Sequence, residues 1–154
     1  MKKIFILLAL LVFVGSASAQ RIPIGSTVSQ VTDSLKAWNL EYKETTAGTM
    51  SPRTTEINVP ILSYLNTNWS MVCEFQKPDT ATRILYTAYK ITKADYDFLL
   101  GEITKLRGEP KGDHPTSAIG KYWVIDNKFL IALSFENEKI YLEHRDIDFA
   151  KKSD

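Results

Sequence analysis

The chain has 154 residues and a formal net charge of +1, from 19 basic and 18 acidic residues. This near balance argues against nucleic acid or an anionic membrane surface as a partner, because both favour an excess of Lys and Arg. The only cysteine is Cys73, which excludes an internal disulfide.

Residues 1–19 have the three parts of a secretory leader: a basic start, eleven apolar residues and an Ala-x-Ala end. Cleavage after Ala19 predicts a periplasmic or secreted protein that begins at Gln20, where a lipoprotein would need cysteine. Two lysines leave with the leader, so 17 basic residues face 18 acidic ones and the net charge becomes about −1. We expect residues 20–154 to form one domain without a lipid anchor or a membrane-spanning segment, with a tail that frays from Asp146.

The chain up to Ile91 predicts one helix followed by strands. The apolar stripe of the helix has a period of 3.6 residues and consists of Val28, Val31, Leu35 and Trp38. Thr27 and Gln30 fit a capping box at its start, and Asn39 is expected to end it. The predicted strands are Leu40–Glu44, a segment from Thr55 onward, Trp69–Gln76 and Arg83–Ile91. Pro60 predicts that the second of these is an edge or bulged strand, and the fourth is apolar on both faces and therefore central.

Residues 92–145 have the clearest pattern, a helix followed by a three-strand meander. The part of the chain before them looks like a shorter version of the same plan. Thr92 is expected to cap a second helix, which ends at Gly108. The inward stripe of this helix is predicted to be Tyr96, Leu99, Leu100, Ile103 and Leu106. Separate runs of helices and antiparallel strands predict an α+β fold, with two helices packed on one face of an antiparallel sheet. The predicted order is helix, strands, helix, meander.

The polar loop Lys111–Gly120 leads into that three-strand meander. Asp126-Asn127 and Asn137-Glu138 are its best two-residue turns. With these dipeptides at the centre of the turns, apolar residues of neighbouring strands lie opposite each other on one face of the sheet. The predicted core pairs are Val124 with Phe129, Tyr122 with Ile131, Phe135 with Ile140, and Leu133 with Leu142. The predicted pairs on the other face are Trp123 with Leu130, Ser134 with Tyr141, and Ala132 with Glu143.

The sheet face opposite the predicted core pairs is the first candidate binding surface, because large aromatic side chains beside polar groups are favoured at recognition surfaces. Its predicted members are Trp123, Leu130, Ala132, Ser134, Tyr141, Glu143 and Arg145. The alternative is an ordinary half-wetted sheet face. Phe98, on the outward side of the second helix beside Gly101, is the second candidate. The alternative interpretation is that the first helix or a loop packs over Phe98 and Gly101 and buries them.

Other candidates have simpler interpretations. Cys73 lies on an apolar strand row, so we expect a buried thiol and no nucleophile. His114 and His144 lack the further ligands that a zinc site needs, and no metal, cofactor or catalytic motif is recognised. The acidic residues Glu136, Glu138, Glu143, Asp146 and Asp148 could serve a hydrolase only if two carboxyl groups converge in a cleft.

The opening Ile22–Leu35, the helix that ends in Leu-Arg-Gly-Glu-Pro and the Trp-containing meander resemble small exported bacterial proteins. The groups are the SmpA/OmlA and β-lactamase-inhibitor-protein types and secreted proteins of Bacteroidetes. The resemblance implies a non-enzymatic α+β module that binds other proteins, in the inhibitors through a sheet face. This chain departs from the two named types, since it lacks the lipoprotein cysteine of the first and the disulfides of the second.

Three functions follow in order. The first is an exported, non-enzymatic module that binds an envelope or periplasmic protein through the sheet face. The second is a small-ligand carrier, whose cavity between sheet and helices Trp69, Tyr86 or Tyr89 would line. The third is a carboxylate-dependent hydrolase.

Overall fold

The computed structural model describes residues 22–47, 54–64, 67–76 and 80–150. The predicted leader and its cleavage point lie outside the described residues. Within the described ranges the chain is α+β, as predicted. The helices are α1 (Val28–Ala37), α2 (Lys93–Arg107) and the single turn α3 (Ile147–Ala150). The strands are β1 (Lys43–Ala47), β2 (Thr54–Tyr64), β3 (Thr67–Gln76), β4 (Thr80–Tyr89), β5 (Gly112–Asp113), β6 (Gly120–Ile125), β7 (Phe129–Glu136) and β8 (Lys139–Asp146).

The strands form one antiparallel sheet in the order β1-β2-β3-β4-β8-β7-β6-β5. Each half of the chain therefore contributes a helix followed by four strands that pair consecutively. The halves meet where β4 pairs with β8, from Arg83 opposite Arg145 to Tyr89 opposite Lys139. The prediction that the fourth strand is central is correct.

One side of the sheet carries the hydrophobic core. A row of directly opposed residues crosses six strands on this core side, and every member is at most 5% exposed. The row is Ile57, Cys73, Ile84, His144, Ile131 and Trp123. Val31, Leu35, Tyr96, Leu99 and Ile103 of α1 and α2 belong to the same buried cluster. Burial of this continuous apolar surface is the main stabilising contribution to the fold.

Both long helices begin with a capping box. Thr27 and Gln30 form the one predicted for α1, and Thr92 and Asp95 form the other. The bonds from Thr92 lower the pKa of the Asp95 carboxyl group. Asn39 ends α1 as expected, with a φ of 54° and its N–H donating to Lys36 O at 3.0 Å. Local hydrogen-bonding chemistry therefore determines where these helices start and where α1 stops.

The inward stripe of α2 is shorter than predicted. Tyr96, Leu99 and Ile103 are buried, but Leu106 is 67% exposed. Leu106 lies in the last turn, so contact with the core ends one turn earlier than the period alone suggests. Just beyond the helix, Gly108 O accepts a hydrogen bond of 2.9 Å from Trp123 Nε1. This bond ties the end of α2 to β6.

The early strands are offset from their predicted positions. β1 begins at Lys43 rather than Leu40 and ends at Ala47, three residues beyond the predicted end at Glu44. β2 is bulged, with a register shift between Val59 and Leu62 that spans Pro60. It is not an edge strand, because β1 pairs with it along its first residues. A bulge accommodates proline inside a sheet because the extra residue leaves the hydrogen-bonded ladder.

The first hairpin of the meander has a different register from the one predicted. Asp126 and Asn127 are the central residues of a turn closed by Lys128 N donating to Ile125 O at 3.0 Å, and both have a φ of 52°. Lys128 is an extra residue without a partner in the β6–β7 ladder, so Ile125 opposes Phe129. This bulge moves every side chain of β6 to the opposite face. The observed pairs are Trp123 with Ile131, Tyr122 with Ala132 and Val124 with Leu130.

The second hairpin matches its prediction. Asn137 and Glu138 have positive φ values of 50° and 58°, and Phe135 opposes Ile140. After β8 the chain continues into α3, where Asp146 Oδ1 accepts a 2.9 Å hydrogen bond from Asp148 N. The fraying expected from Asp146 stays a prediction. Residues 151–154 of the predicted tail lie outside the described residues.

Candidate functional site

The side of the sheet away from the core, called the second face, has three cross-strand rows. A charged row contains Val124, Leu130, Arg145, Arg83, Glu74 and Glu56. A middle row contains Tyr122, Ala132, Glu143, Leu85, Val72 and Asn58. A hydroxyl row contains Gly120, Ser134, Tyr141, Thr87 and Ser70. The middle row therefore mixes apolar side chains with the Glu143 carboxylate and Asn58, with further charges in the row on one side and hydroxyl groups in the row on the other.

Large and small side chains alternate on this face. Tyr141 lies between Ser134 and Thr87, which are buried although they are on this side of the sheet. Ala132 is likewise buried between Tyr122 and Glu143. Tyr122 and Tyr141 remain partly exposed. Small buried residues of β7 and β4 therefore lie between larger, partly exposed aromatic residues on this face.

The charged groups form a network over β3, β4 and β8. Arg83 donates from Nη1 to Glu74 Oε1 and from Nε to Glu143 Oε1, each at 2.8 Å. The side chains of Arg83, Glu74 and Glu143 are 29%, 21% and 12% exposed. Burial alone would lower the pKa of Arg83, but the two carboxylates outweigh it and hold that pKa above its ordinary value. Arg83 therefore stays a permanent cation in the charged row of the face.

Arg145 is less well neutralised. It lies directly opposite Arg83, and its Nε is 2.8 Å from the same Glu143 oxygen that Arg83 contacts. That contact is an ion pair without hydrogen-bond geometry, and Arg145 Nε is a buried donor that lacks an acceptor among the described residues. Two guanidinium groups on adjacent strands thus share one carboxylate oxygen.

The structure brings together six of the eight predicted surface residues. Leu130, Ala132, Ser134, Tyr141, Glu143 and Arg145 all lie on the second face. The prediction that pairs Trp123 with Leu130 is wrong, because the bulge at Lys128 turns Trp123 into the core, where it is 1% exposed. Trp123 therefore holds the domain together and is no part of that surface.

Sequence reasoning missed the residues that complete the face. Tyr122 and Val124 were assigned to the core because the extra loop residue was not recognised. Arg83 and Leu85 were missed because they reach this face through the pairing of β4 with β8, which joins distant parts of the chain. The two apolar faces predicted for the fourth strand were the one signal that could have indicated it.

Phe98 lies apart from the second face, on α2, and is 56% exposed. The alternative that another element covers Phe98 and Gly101 is not seen, because a methyl group added at Gly101 would meet no atom within 4 Å among the described residues. Gly101 is therefore an ordinary mid-helix glycine facing open space.

Gly101→Ala is accordingly expected to stabilise the domain by about 0.5–1 kcal/mol, since alanine loses less backbone entropy in a helix. Urea denaturation followed by circular dichroism measures the change. Gly108→Ala is the matched control and should destabilise, because Gly108 has a φ of 82°. A loss of stability in Gly101→Ala would mean that some element packs against that position.

The Cys73 thiol is fully buried, and burial raises its pKa to about 12. It is therefore protonated at neutral pH and is a poor nucleophile. His114 lies in the polar loop, whereas His144 is on the core row, where its ring packs edge-on against Tyr86 at 5.6 Å. In the part of the chain that the structure describes, no group of three or more His, Cys, Asp or Glu is placed to hold a metal ion.

The acidic residues around β8 are spread along the length of the strand. Glu136 opposes Lys139 at one end, and Asp146 opposes Phe129 at the other. These ends are seven residue steps apart along β8, about 23 Å at 3.3 Å per residue. Glu143 lies between them, held by arginines.

Two concave regions include residues of the second face: Leu130 in one, and Asn58, Ser70 and Val72 in the other. A cavity of about 120 Å³ is lined by Pro23, Ile24, Ile125, Phe129, Leu130, Ile131 and His144. An open groove of about 450 Å³ is lined by Glu41, Tyr42, Lys43, Asn58, Val59, Pro60, Ser70, Met71 and Val72. The first is smaller than most ligand pockets, which measure roughly 300–1,000 Å³. Among the described helices, none is long and apolar enough to cross a membrane.

No protein-family model, curated protein or solved structure matches the chain. The resemblance to the exported SmpA/OmlA and inhibitor types therefore stays a prediction.

Proposed function

We propose that the chain is an exported, non-enzymatic binding module that contacts an envelope or periplasmic protein through the second face. The observation that carries the proposal is that six of the residues predicted to form one surface lie together on one face of the sheet. Its three rows combine apolar, charged and hydroxyl-bearing side chains, which is the mixed character of protein-binding surfaces. Aromatic side chains at its border are typical anchors of such surfaces.

The proposal includes the position of the helices. Both α1 and α2 would pack on the core side, which would leave the second face free for a partner. The membership of Leu35 and Leu99 in the core cluster supports this arrangement, as does the 6.1 Å contact between the Tyr96 and Phe135 rings. The partial exposure of Leu85, Tyr122 and Tyr141 also fits an uncovered face.

The carrier hypothesis has weaker support. Trp69 and Tyr86 were expected to line its cavity, but they pack edge to face at 6.2 Å and are at most 1% exposed. Tyr89, the third expected residue, is 57% exposed. We therefore place the carrier second and the hydrolase third.

Photo-cross-linking in the source organism tests the proposal. A photoreactive phenylalanine replaces Tyr141 on the second face, Phe98 on α2, or Leu106 as an exposed control. We expect Tyr141 to yield a discrete product with one envelope protein, and Leu106 to yield none. The chain recovered from the envelope fraction should begin at Gln20, which tests export.

Tyr141→Ala supplies the quantitative arm. Truncating an aromatic anchor costs about 1.4–2 kcal/mol of binding, which corresponds to roughly 10- to 30-fold weaker capture. Its thermal stability should stay close to that of the wild type, because the ring is partly exposed. A product from Phe98 alone would move the binding surface to α2. Equal products from all three positions, or none, would refute the second face as the site.

A further inference from the structure

The arginine pair of the second face is unequally satisfied. Arg83 contacts two carboxylates, from Glu74 and Glu143, each at 2.8 Å. Arg145 has only its share of the same Glu143 oxygen and, within residues 22–47, 54–64, 67–76 and 80–150, makes no side-chain hydrogen bond. A guanidinium group carries five N–H donors in one plane. Arg145 is therefore a cation with donors to spare on the proposed binding face.

A carboxylate is the group that best fits such a donor set. It accepts two parallel N–H bonds from one guanidinium, and these charge-assisted bonds are about twice as strong as neutral ones. The Arg145 side chain is only 28% exposed, so an incoming anion would be less screened there than at a fully exposed cation. Its addition would also offset the repulsion between Arg83 and Arg145, which lie opposite each other on adjacent strands.

The neighbours of Arg145 specify what must lie beside that carboxylate. Leu130 opposes Arg145 on β7, and Val124 follows on β6, so the charged row becomes apolar on that side. On the other side of the pair the row ends in Glu74 and Glu56, which would repel an anion. The acidic group must therefore sit over β8, with an apolar group next to it over β7 and β6.

We infer that Arg145 binds an acidic side chain of the protein partner, within a segment that places an apolar residue over Leu130 and Val124. This inference rests on the proposed function, since it names the chemistry of the partner at the same face.

NMR of the isotope-labelled chain 20–154 provides the test. The probe is a capped tripeptide with glutamate between phenylalanine and leucine, and the matched probe has glutamine instead. We expect the acidic peptide to shift the Arg145 Nε–Hε signal and the Leu130 and Ala132 amides saturably, and the neutral peptide to bind at least fivefold more weakly. Raising the salt to about 0.5 M should reduce the difference, because surface ion pairs are screened.

Two charge-removing variants complete the design. Arg145→Gln should abolish the preference for the acidic peptide, whereas Arg107→Gln, which removes a cation from α2, should keep it. Dispersed amide spectra confirm that each variant is folded. Equal affinity for both peptides, a preference that survives Arg145→Gln, or the absence of saturable shifts would each overturn the inference. If the preference is found but Tyr141 gives no cross-link, the carboxylate site stands and the proposed function fails. If the cross-link forms without the preference, the function stands and the partner chemistry fails.

Discussion

Trp123→Ala is expected to remove most of the stability of the domain. Replacing a fully buried tryptophan by alanine costs about 3–5 kcal/mol, against a typical total of roughly 5–15 kcal/mol. Trp123 is 1% exposed, lies at the end of the six-residue core row, and donates its Nε1–H to Gly108 O. The substitution therefore leaves a cavity, removes a hydrogen bond and loosens the link between α2 and β6.

Urea denaturation monitored by circular dichroism measures this loss, and two controls separate its causes. Trp123→Phe keeps most of the ring but loses the donor, so we expect a smaller cost of about 1–3 kcal/mol. Tyr141→Ala changes a partly exposed aromatic of the same meander and should cost about 1 kcal/mol or less. If Trp123→Ala keeps its stability and loses partner binding instead, Trp123 belongs to the binding surface after all.

Glu143→Gln is expected to destabilise the domain by about 2–3 kcal/mol. This lies between the 0–1 kcal/mol of an exposed ion pair and the 3–5 kcal/mol of breaking a buried one. Glu143 is 12% exposed, and its Oε1 lies 2.8 Å from both Arg83 Nε and Arg145 Nε. Without its charge, two cations oppose each other across adjacent strands at the junction of the two halves.

A double-mutant cycle identifies that repulsion as the cause. Arg145→Gln alone should cost little, because Arg145 is only weakly satisfied, and combining it with Glu143→Gln should restore part of the stability. The loss in the single variant Glu143→Gln should also shrink at about 1 M salt, where the Debye length is roughly 3 Å. A change below about 0.5 kcal/mol in Glu143→Gln would show that the network adds nothing to stability.

The two hairpins show how much the sequence could predict. Asn137 and Glu138 were placed correctly at a two-residue turn, so the pairing of β7 with β8 was right. Asp126 and Asn127 have the same turn chemistry, but Lys128 adds a bulge after it. The sequence could not distinguish these cases because β6 is apolar on both faces: Tyr122 and Val124 fit a core as well as Trp123 does.

The second face was predictable only in part for the same physical reason. Local periodicity placed Leu130, Ala132 and Ser134 on one face of β7, and the correct turn placed Tyr141 and Glu143 opposite them. Arg83 lies on the second face only because β4 pairs with β8. That pairing depends on the packing of the whole sheet rather than on any local turn. Helix starts were predicted well because the capping-box bonds span only three residues.

The order of the strands has a consequence for the folding rate. Within β1–β4 and within β5–β8, every strand pairs with its neighbour in the chain, and β4 with β8 is the one distant pairing between described strands. Folding slows as contacts link more distant residues, because closing a long loop costs entropy before any contact forms. In this sheet that cost is concentrated in a single seam. The domain is therefore expected to fold faster than other eight-stranded sheets, such as Greek keys, in which several pairings join distant strands.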